Sequence, residues 1–174
     1  LSAEEATRLS LLATQNNLIL ETEYTYTYSK SLIKARTLIN NGEIGALRSV
    51  QICLKQLGRF MSYDVYALLG SHALSILNLF IPISTCKFEI RPLIKTGNDT
   101  TSALIHFDSS NSGVRGYIDV CLHTPHKYKS VILYGDYGTI TYCPSNKSPL
   151  TLKKYDRINS KKYNKKNHED NFYN

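Results

Sequence analysis

The stretch LGRFMSYDVYALLGSHALSILNLF, residues 57–80, organises the rest of the chain. Leu57-Gly58 is a turn signal, and Arg59 and Asp64 follow it. Gly70-Ser71-His72 then opens an apolar run of Ala73, Leu74, Ile76, Leu77 and Phe80. So few polar positions predict a short helix over His72–Phe80, buried on most sides and ended by Pro82. A polar cluster just ahead of a buried helix can aim side chains into a cleft, or it can simply cap the helix.

Before this stretch the chain reads as helix and strand. Ser2 and Glu5 form a Ser-x-x-Glu capping box ahead of Ala6, Leu9, Leu12 and Ala13 at helical spacing. Asn16-Asn17 stops that helix, and Leu18-Ile19-Leu20 reads as a short apolar strand. Helix, two-residue turn and strand are how an α/β unit ends. Glu23–Tyr28 alternates Tyr and Thr, which suits an extended segment. Ser29 is placed to cap a helix over Lys30–Asn41 with Leu32, Ile33, Leu38 and Ile39 on its apolar face, and Asn41-Gly42 ends it. Leu47–Leu57 alternates as a strand, with Val50, Ile52 and Leu54 on one face.

After it, the chain reads as β-structure. The candidate strands are Cys86–Leu93, Thr101–Phe107, Val114–Leu122, Ser130–Tyr134, Thr139–Cys143 and Leu150–Tyr155, separated by turn signals such as Gly97-Asn98-Asp99 and Gly135-Asp136-Tyr137-Gly138. Helices first and strands later on one core predict an α+β fold, a largely antiparallel open sheet with helices packed on one face. Ile105, Phe107, Tyr117, Val131, Leu133 and Tyr142 read as too many apolar residues for one side. The uncovered face is therefore expected to be half-apolar and to join copies of the chain as a homo-oligomer. From Asn159 onward the Lys/Asn-rich tail is expected to be loosely ordered.

Composition narrows the function class. The 174 residues suffice for one domain with a real core, and the apolar and charged fractions are those of a globular protein. No apolar run is long enough to span a bilayer, and the N-terminal residues carry no secretory pattern, so no membrane role is expected and the location is read as cytoplasmic. The net charge of +7 invites a nucleic-acid reading. Its distribution argues against one, since seven Lys/Arg against three Asp/Glu between Lys153 and Asp170 put a surplus of four in the tail. Cys53, Cys86, Cys121 and Cys143 are widely spaced among apolar neighbours and read as buried reduced thiols, with a metal site or a disulfide left open.

Four stretches together carry a resemblance. LSAEEATRLSLLATQNNLIL, YTYTYSKSLIKARTLINNGEIGALRSVQ, LGRFMSYDVYALLGSHALSIL, and VILYGDYGTITY with LKKYDR stand in one order across residues 1–158. They resemble, in that order, the later parts of the Gfo/Idh/MocA oxidoreductases, the family of glucose–fructose oxidoreductase and inositol dehydrogenase. The resemblance implies a Rossmann domain that binds NAD or NADP, followed by an α+β domain with the substrate pocket and the oligomer contact. Residues 1–24 then correspond to the closing helix and strand of the Rossmann domain. Residues 25–158 correspond to the substrate-binding and oligomerisation domain, and 159–174 to the tail.

The given residues hold neither a G-x-G-x-x-G loop nor the Glu-Lys-Pro lysine of the family. The chain is accordingly read as part of a larger dehydrogenase, not expected to bind the cofactor tightly by itself. By resemblance His72 matches the family histidine that takes the hydroxyl proton of the sugar as hydride leaves the carbon. The aspartate that stands four positions before that histidine in relatives is Leu68 here, and the one after it is Ala73. Tyr28 matches the tyrosine of the family's His-Thr-Phe-x-Tyr motif near the substrate. Asp64 matches the aspartate of its Asp-Val pair, and Arg59 lies in the loop over the pocket, placed for an anionic substrate group; with Tyr28, both are expected to bind substrate. Other roles stay open: a surface or inter-subunit salt bridge for Arg59, a helix cap for His72 and packing at the domain junction for Tyr28. His123 and His126 around Pro125 read as a solvated turn. The expected function is the substrate-binding and oligomerisation domain of an NAD(P)-dependent sugar or nucleotide-sugar oxidoreductase, inactive alone. The alternative is a degenerate, non-catalytic assembly or carbohydrate-binding module.

Overall fold

A computed structural model describes residues 2–57 and 64–155, and the backbone of 170–173. The helices are α1 (Ala3–Gln15), α2 (Lys30–Asn40) and α3 (Ser71–Asn78). The strands are β1 (Leu47–Leu57), β2 (Cys86–Thr96), β3 (Asp99–Ser109), β4 (Arg115–Cys121), β5 (His123–Gly135), β6 (Gly138–Tyr142), β7 (Leu150–Lys154) and β8 (Asp170–Tyr173). They form one mixed, mostly antiparallel sheet in the order β2-β3-β4-β1-β5-β6-β7-β8. β1 lies inside it, parallel to β4 and antiparallel to β5. The parallel pair arises because α3 and the β2–β3 hairpin separate β1 from β4 in sequence.

The register fixes the two faces. Ile52 stands opposite Ile118 and Val131, and Val50 opposite Gly116 and Leu133. Paired residues share a face, so one side carries Val50, Ile52, Leu54, Ile105, Phe107, Ile118, Val131, Leu133, Ile140 and Tyr142. All of these are buried, with Leu32, Ala35, Leu38, Ala73, Ile76 and Leu77 from α2 and α3 in the same core. Gly116 is required here: a Cβ would come 1.8 Å from the Val50 carbonyl oxygen and 2.8 Å from the Phe107 ring.

The register changes which residues the open face carries. Five of the six apolar residues thought too many for one side point to the helices; Tyr117 alone is on the other face, beside Gln51 and His106. There Tyr117 and Tyr134 hydroxyls donate to the Gln51 side-chain oxygen at 3.1 and 3.3 Å, and Lys55 pairs with Asp119 at 2.5 Å. The uncovered side also carries Leu104 and Ile132, so it mixes apolar, aromatic and polar residues.

Local structure departs from the sequence reading in further places. Leu18–Leu20 forms no strand; the three residues are 58–95% exposed, and no described strand lies beside them to supply ladder hydrogen bonds. Thr25–Tyr28 is a 3₁₀ turn instead of an extended segment. The Tyr24 carbonyl accepts from both the backbone N–H of Thr27 (2.9 Å) and its hydroxyl (2.7 Å), a local bond that outcompetes extension. Ser29 sits at the N-cap of α2 without a side-chain capping bond. Of the tail, Asp170–Tyr173 pairs antiparallel with β7, and 159–169 lie outside the described residues. The four cysteines are free and half-buried rather than fully buried. The capping box of α1 is present, with Ser2 Oγ accepting from Glu5 N–H and Glu5 from Ser2 N–H, yet α1 buries no residue.

Candidate functional site

The segment from Asp64 to Asn78 sets one wall of a cleft. Asp64 caps its start: Oδ1 accepts from Tyr66 N–H at 2.8 Å and Oδ2 from Thr100 N–H at 3.3 Å, tying the turn to β3. Tyr66–Gly70 is a π-helical turn, closed by the Ser71 N–H on the Tyr66 carbonyl. It runs without a break into α3, so Leu68, Leu69 and His72 come round onto the cleft side. The apolar spacing that buries Ala73, Ile76 and Leu77 against the sheet leaves His72 at the edge of the core.

The opposite wall is the sheet. Leu54, Gln56 and Leu57 come from the end of β1, Leu122 from the β4–β5 junction, and Pro125, Lys127 and Lys129 from β5. The 3₁₀ turn brings in Thr25 and Tyr26, and the enclosed volume is about 590 Å³. His72 lies among aromatic rings, edge-on to Tyr26 at 5.6 Å and to Tyr24 at 6.3 Å between centroids. The Lys129 Nζ is 4.7 Å from the Tyr26 ring centroid.

The electrostatics follow from this packing. Burial, and next the Lys129 charge, hold the His72 pKa below its ordinary 6.5, so the imidazole is neutral near pH 7. Burial also pulls the Lys129 ammonium below its usual range. His72 Nδ1 is buried and has no hydrogen-bond partner among the described residues. A neutral imidazole that lines a cleft can accept a proton from a bound hydroxyl.

Of the described residues proposed for the site from sequence, His72 alone lines the cleft. Tyr28 is 60% exposed, with its hydroxyl donating to the Glu21 carboxylate, which raises its pKa. Asp64 serves as the cap described above, and Arg59 lies outside the described residues. Tyr26 and Lys129 were missed. The alternating Tyr/Thr pattern did not distinguish Tyr26 from Tyr28. A lysine amid the turn-like run His126-Lys127-Tyr128 gave no sign of facing inward. Only its register opposite Leu54, a core residue 2% exposed, reveals that.

The described residues do not fit the pyrophosphate of a dinucleotide. The nine glycines nowhere form G-x-G-x-x-G. The first turn of α1 carries Glu4 and Glu5, whose charge opposes a phosphate, and the Ser2–Glu5 box takes the N–H groups of Ser2 and Glu5. No helix among the described residues is long and apolar enough to cross a membrane.

No family model and no curated protein matches the chain. Solved structures do. Levoglucosan dehydrogenase, in complex with NADH and levoglucosan, matches with a TM-score of 0.70 at 11% identity, over 90% of this chain and 48% of that one. An inositol dehydrogenase homologue from Azotobacter vinelandii, complexed with NADH and myo-inositol, gives 0.74 at 17% identity, over 86% and 43%. An NAD-binding oxidoreductase from Klebsiella pneumoniae gives 0.75 at 11% identity, over 97% and 51%. The chain thus spans about half the length of the structures it matches. The likeness shows the fold, that of the C-terminal domain of Gfo/Idh/MocA-type oxidoreductases.

Proposed function

We propose that this chain is the substrate-binding domain of an NAD(P)-dependent sugar or nucleotide-sugar oxidoreductase, with His72 as the general base. The observation that carries the reading is the half-buried His72, kept neutral by burial and lining a cleft large enough for a sugar. Its fold is shared with proteins whose structures hold NADH with levoglucosan or myo-inositol. A secondary alcohol bound there gives its proton to the imidazole while its carbon gives up hydride. Tyr26 packs against the same imidazole and closes the wall. The dinucleotide, NAD or NADP, is held by another domain, and the isolated chain is inactive.

Residues 1–24 fit the closing helix and strand of that other domain. α1 buries nothing, and Leu11, Leu12, Leu18, Ile19 and Leu20 are all more than half exposed, as elements waiting for a neighbouring layer would be. Association of copies through the uncovered sheet face belongs to the same reading, with Tyr117 and Tyr134 at its centre.

A second reading, a non-catalytic carbohydrate-binding or assembly module, is favoured by one observation: no carboxylate holds His72 Nδ1 among the described residues. The two separate in a polypeptide that joins this chain to a dinucleotide-binding domain with cofactor bound. Sugar-dependent formation of NADH or NADPH, abolished by His72→Gln, is expected. No turnover across a broad panel of sugars and nucleotide sugars would leave the second reading standing.

A further inference from the structure

The charge in the cleft is one-sided. Lys129 occupies a β5 position directly opposite Leu54, on the side of the sheet that the helices cover, and it is half-buried there. Lys127 lies two residues earlier on the same side and lines the same cleft nearer solvent. The remaining lining is apolar or neutral, apart from the imidazole of His72, and no carboxylate contributes to it among the described residues. A half-buried ammonium is costly to hold unless something compensates its charge. The Tyr26 ring face supplies part of that compensation at 4.7 Å. A ring quadrupole is a weak substitute for an anion, and Lys129 lines the cleft.

We propose that the cleft selects a sugar bearing a negatively charged group, a carboxylate or a phosphate, and that Lys129 binds that group. This rests on the sugar-binding reading above and names its substrate class. Both anions present oxygens that an ammonium can meet with short, charge-assisted hydrogen bonds. Lys127 adds long-range attraction at the mouth, where solvent screens it. A neutral polyol offers Lys129 only hydroxyl dipoles, so its binding compensates the half-buried charge less than an anion does.

The test is calorimetric titration of the 174-residue chain at fixed ionic strength with glucose, glucuronate, glucose 6-phosphate, inorganic phosphate and ADP-ribose. At least one sugar anion is expected to bind about tenfold or more tightly than glucose. Which of the two wins decides between carboxylate and phosphate. Lys129→Met keeps the aliphatic stem and should erase that preference, Lys129→Arg should retain most of it, and Lys127→Met should weaken it only modestly. Circular dichroism establishes that each variant is folded; should Lys129→Met fail to fold, Lys129→Gln replaces it.

Equal binding of glucose and the sugar anions would overturn the charge inference and leave the sugar reading intact. A preference that survives loss of the Lys129 charge would also overturn it. Inorganic phosphate binding as tightly as glucose 6-phosphate would remove the sugar reading while leaving an anion site. Tighter, Lys129-dependent binding of ADP-ribose would assign the lysine to the cofactor and overturn the proposal. Absence of binding by every sugar would remove both readings.

Discussion

The imidazole of His72 meets the ring of Tyr26 edge-on, 5.6 Å between centroids, although the two residues come from separate segments. Tyr26 belongs to a 3₁₀ turn before α2, and His72 to the first turn of α3. The contact closes the cleft at one end and holds the ring that Lys129 approaches from β5. Histidine, tyrosine and lysine there form one unit, and disturbing any member should be felt by the others.

Tyr26→Ala tests that coupling. It removes the cation–π contact and opens the cleft to water, so the Lys129 pKa should climb back toward its ordinary value as solvation returns. Carbon-13 NMR of reductively methylated lysines reports this. Stability should fall by about 0.5–1 kcal/mol for the cation–π contact alone, beyond the lost packing. An unmoved Lys129 titration would show that the Tyr26 ring plays no part in desolvating it.

Acid should destabilise the fold through His72, and the sign follows from its depressed pKa. The unfolded chain binds the proton near pH 6.5, while the folded chain resists it until lower pH. Below pH 6.5 the unfolded state therefore gains protons first, and stability is lost as pH falls from there to the folded pKa. Above 6.5 this contribution is flat. Lys129 reinforces the effect, and Lys127 lines the same cleft. Urea unfolding of His72→Gln alongside the parent protein from pH 7.5 to 5 should show the parent losing more stability than the variant, with the gap changing only on the acid side.

Two glycines should respond in opposite directions. Gly70 has helical angles (φ −61, ψ −44), and a Cβ would meet its nearest neighbour, the Tyr66 Cβ, at an ordinary 3.6 Å. Gly70→Ala should raise stability by about 0.4–1 kcal/mol by narrowing the unfolded ensemble. Gly116→Ala drives a methyl group into the Val50 carbonyl at 1.8 Å and should cost several times as much or prevent folding. Thermal melts of both decide it; a destabilised Gly70→Ala would mean that the π-helical turn needs the glycine for another reason.

Asp64→Ala should behave as the loss of a cap. It leaves the N–H groups of Tyr66 and Thr100 without their acceptor and should cost about 1–2 kcal/mol. Because Asp64 is absent from the cleft lining, sugar affinity of the folded variant should be unchanged. A marked fall in affinity at full stability would instead place this carboxylate at the substrate.

The legibility of the chain divides along physical lines. Strong alternation in Val50, Ile52 and Leu54 and turn residues between later strands made the sheet readable, and the capping box at Ser2 and Glu5 fixed the start of α1. His72 was found through the resemblance around Gly70-Ser71-His72. What could not be read was whatever register decides. Whether Tyr117 shares a face with Phe107 or opposes it depends on pairing across β3 and β4, a long-range fact. The inward Lys129 was hidden for the same reason. The strand expected at Leu18–Leu20 failed because apolar composition states a preference for burial without supplying a partner strand. The mistaken reading of Thr25–Tyr28 came from a side-chain bond of Thr27, which propensity does not register.

The most direct test of the account is the nitrogen-15 NMR signal of the His72 imidazole during titration with a sugar. We expect its ring resonances to move saturably with added sugar, to be assignable by their loss in His72→Gln, and to be accompanied by shifts of Tyr26 and Lys129. Unmoved His72 resonances, with sugar-dependent shifts instead around Gln51, Tyr117 and Tyr134 on the opposite face of the sheet, would contradict the assignment of this cleft as the substrate site.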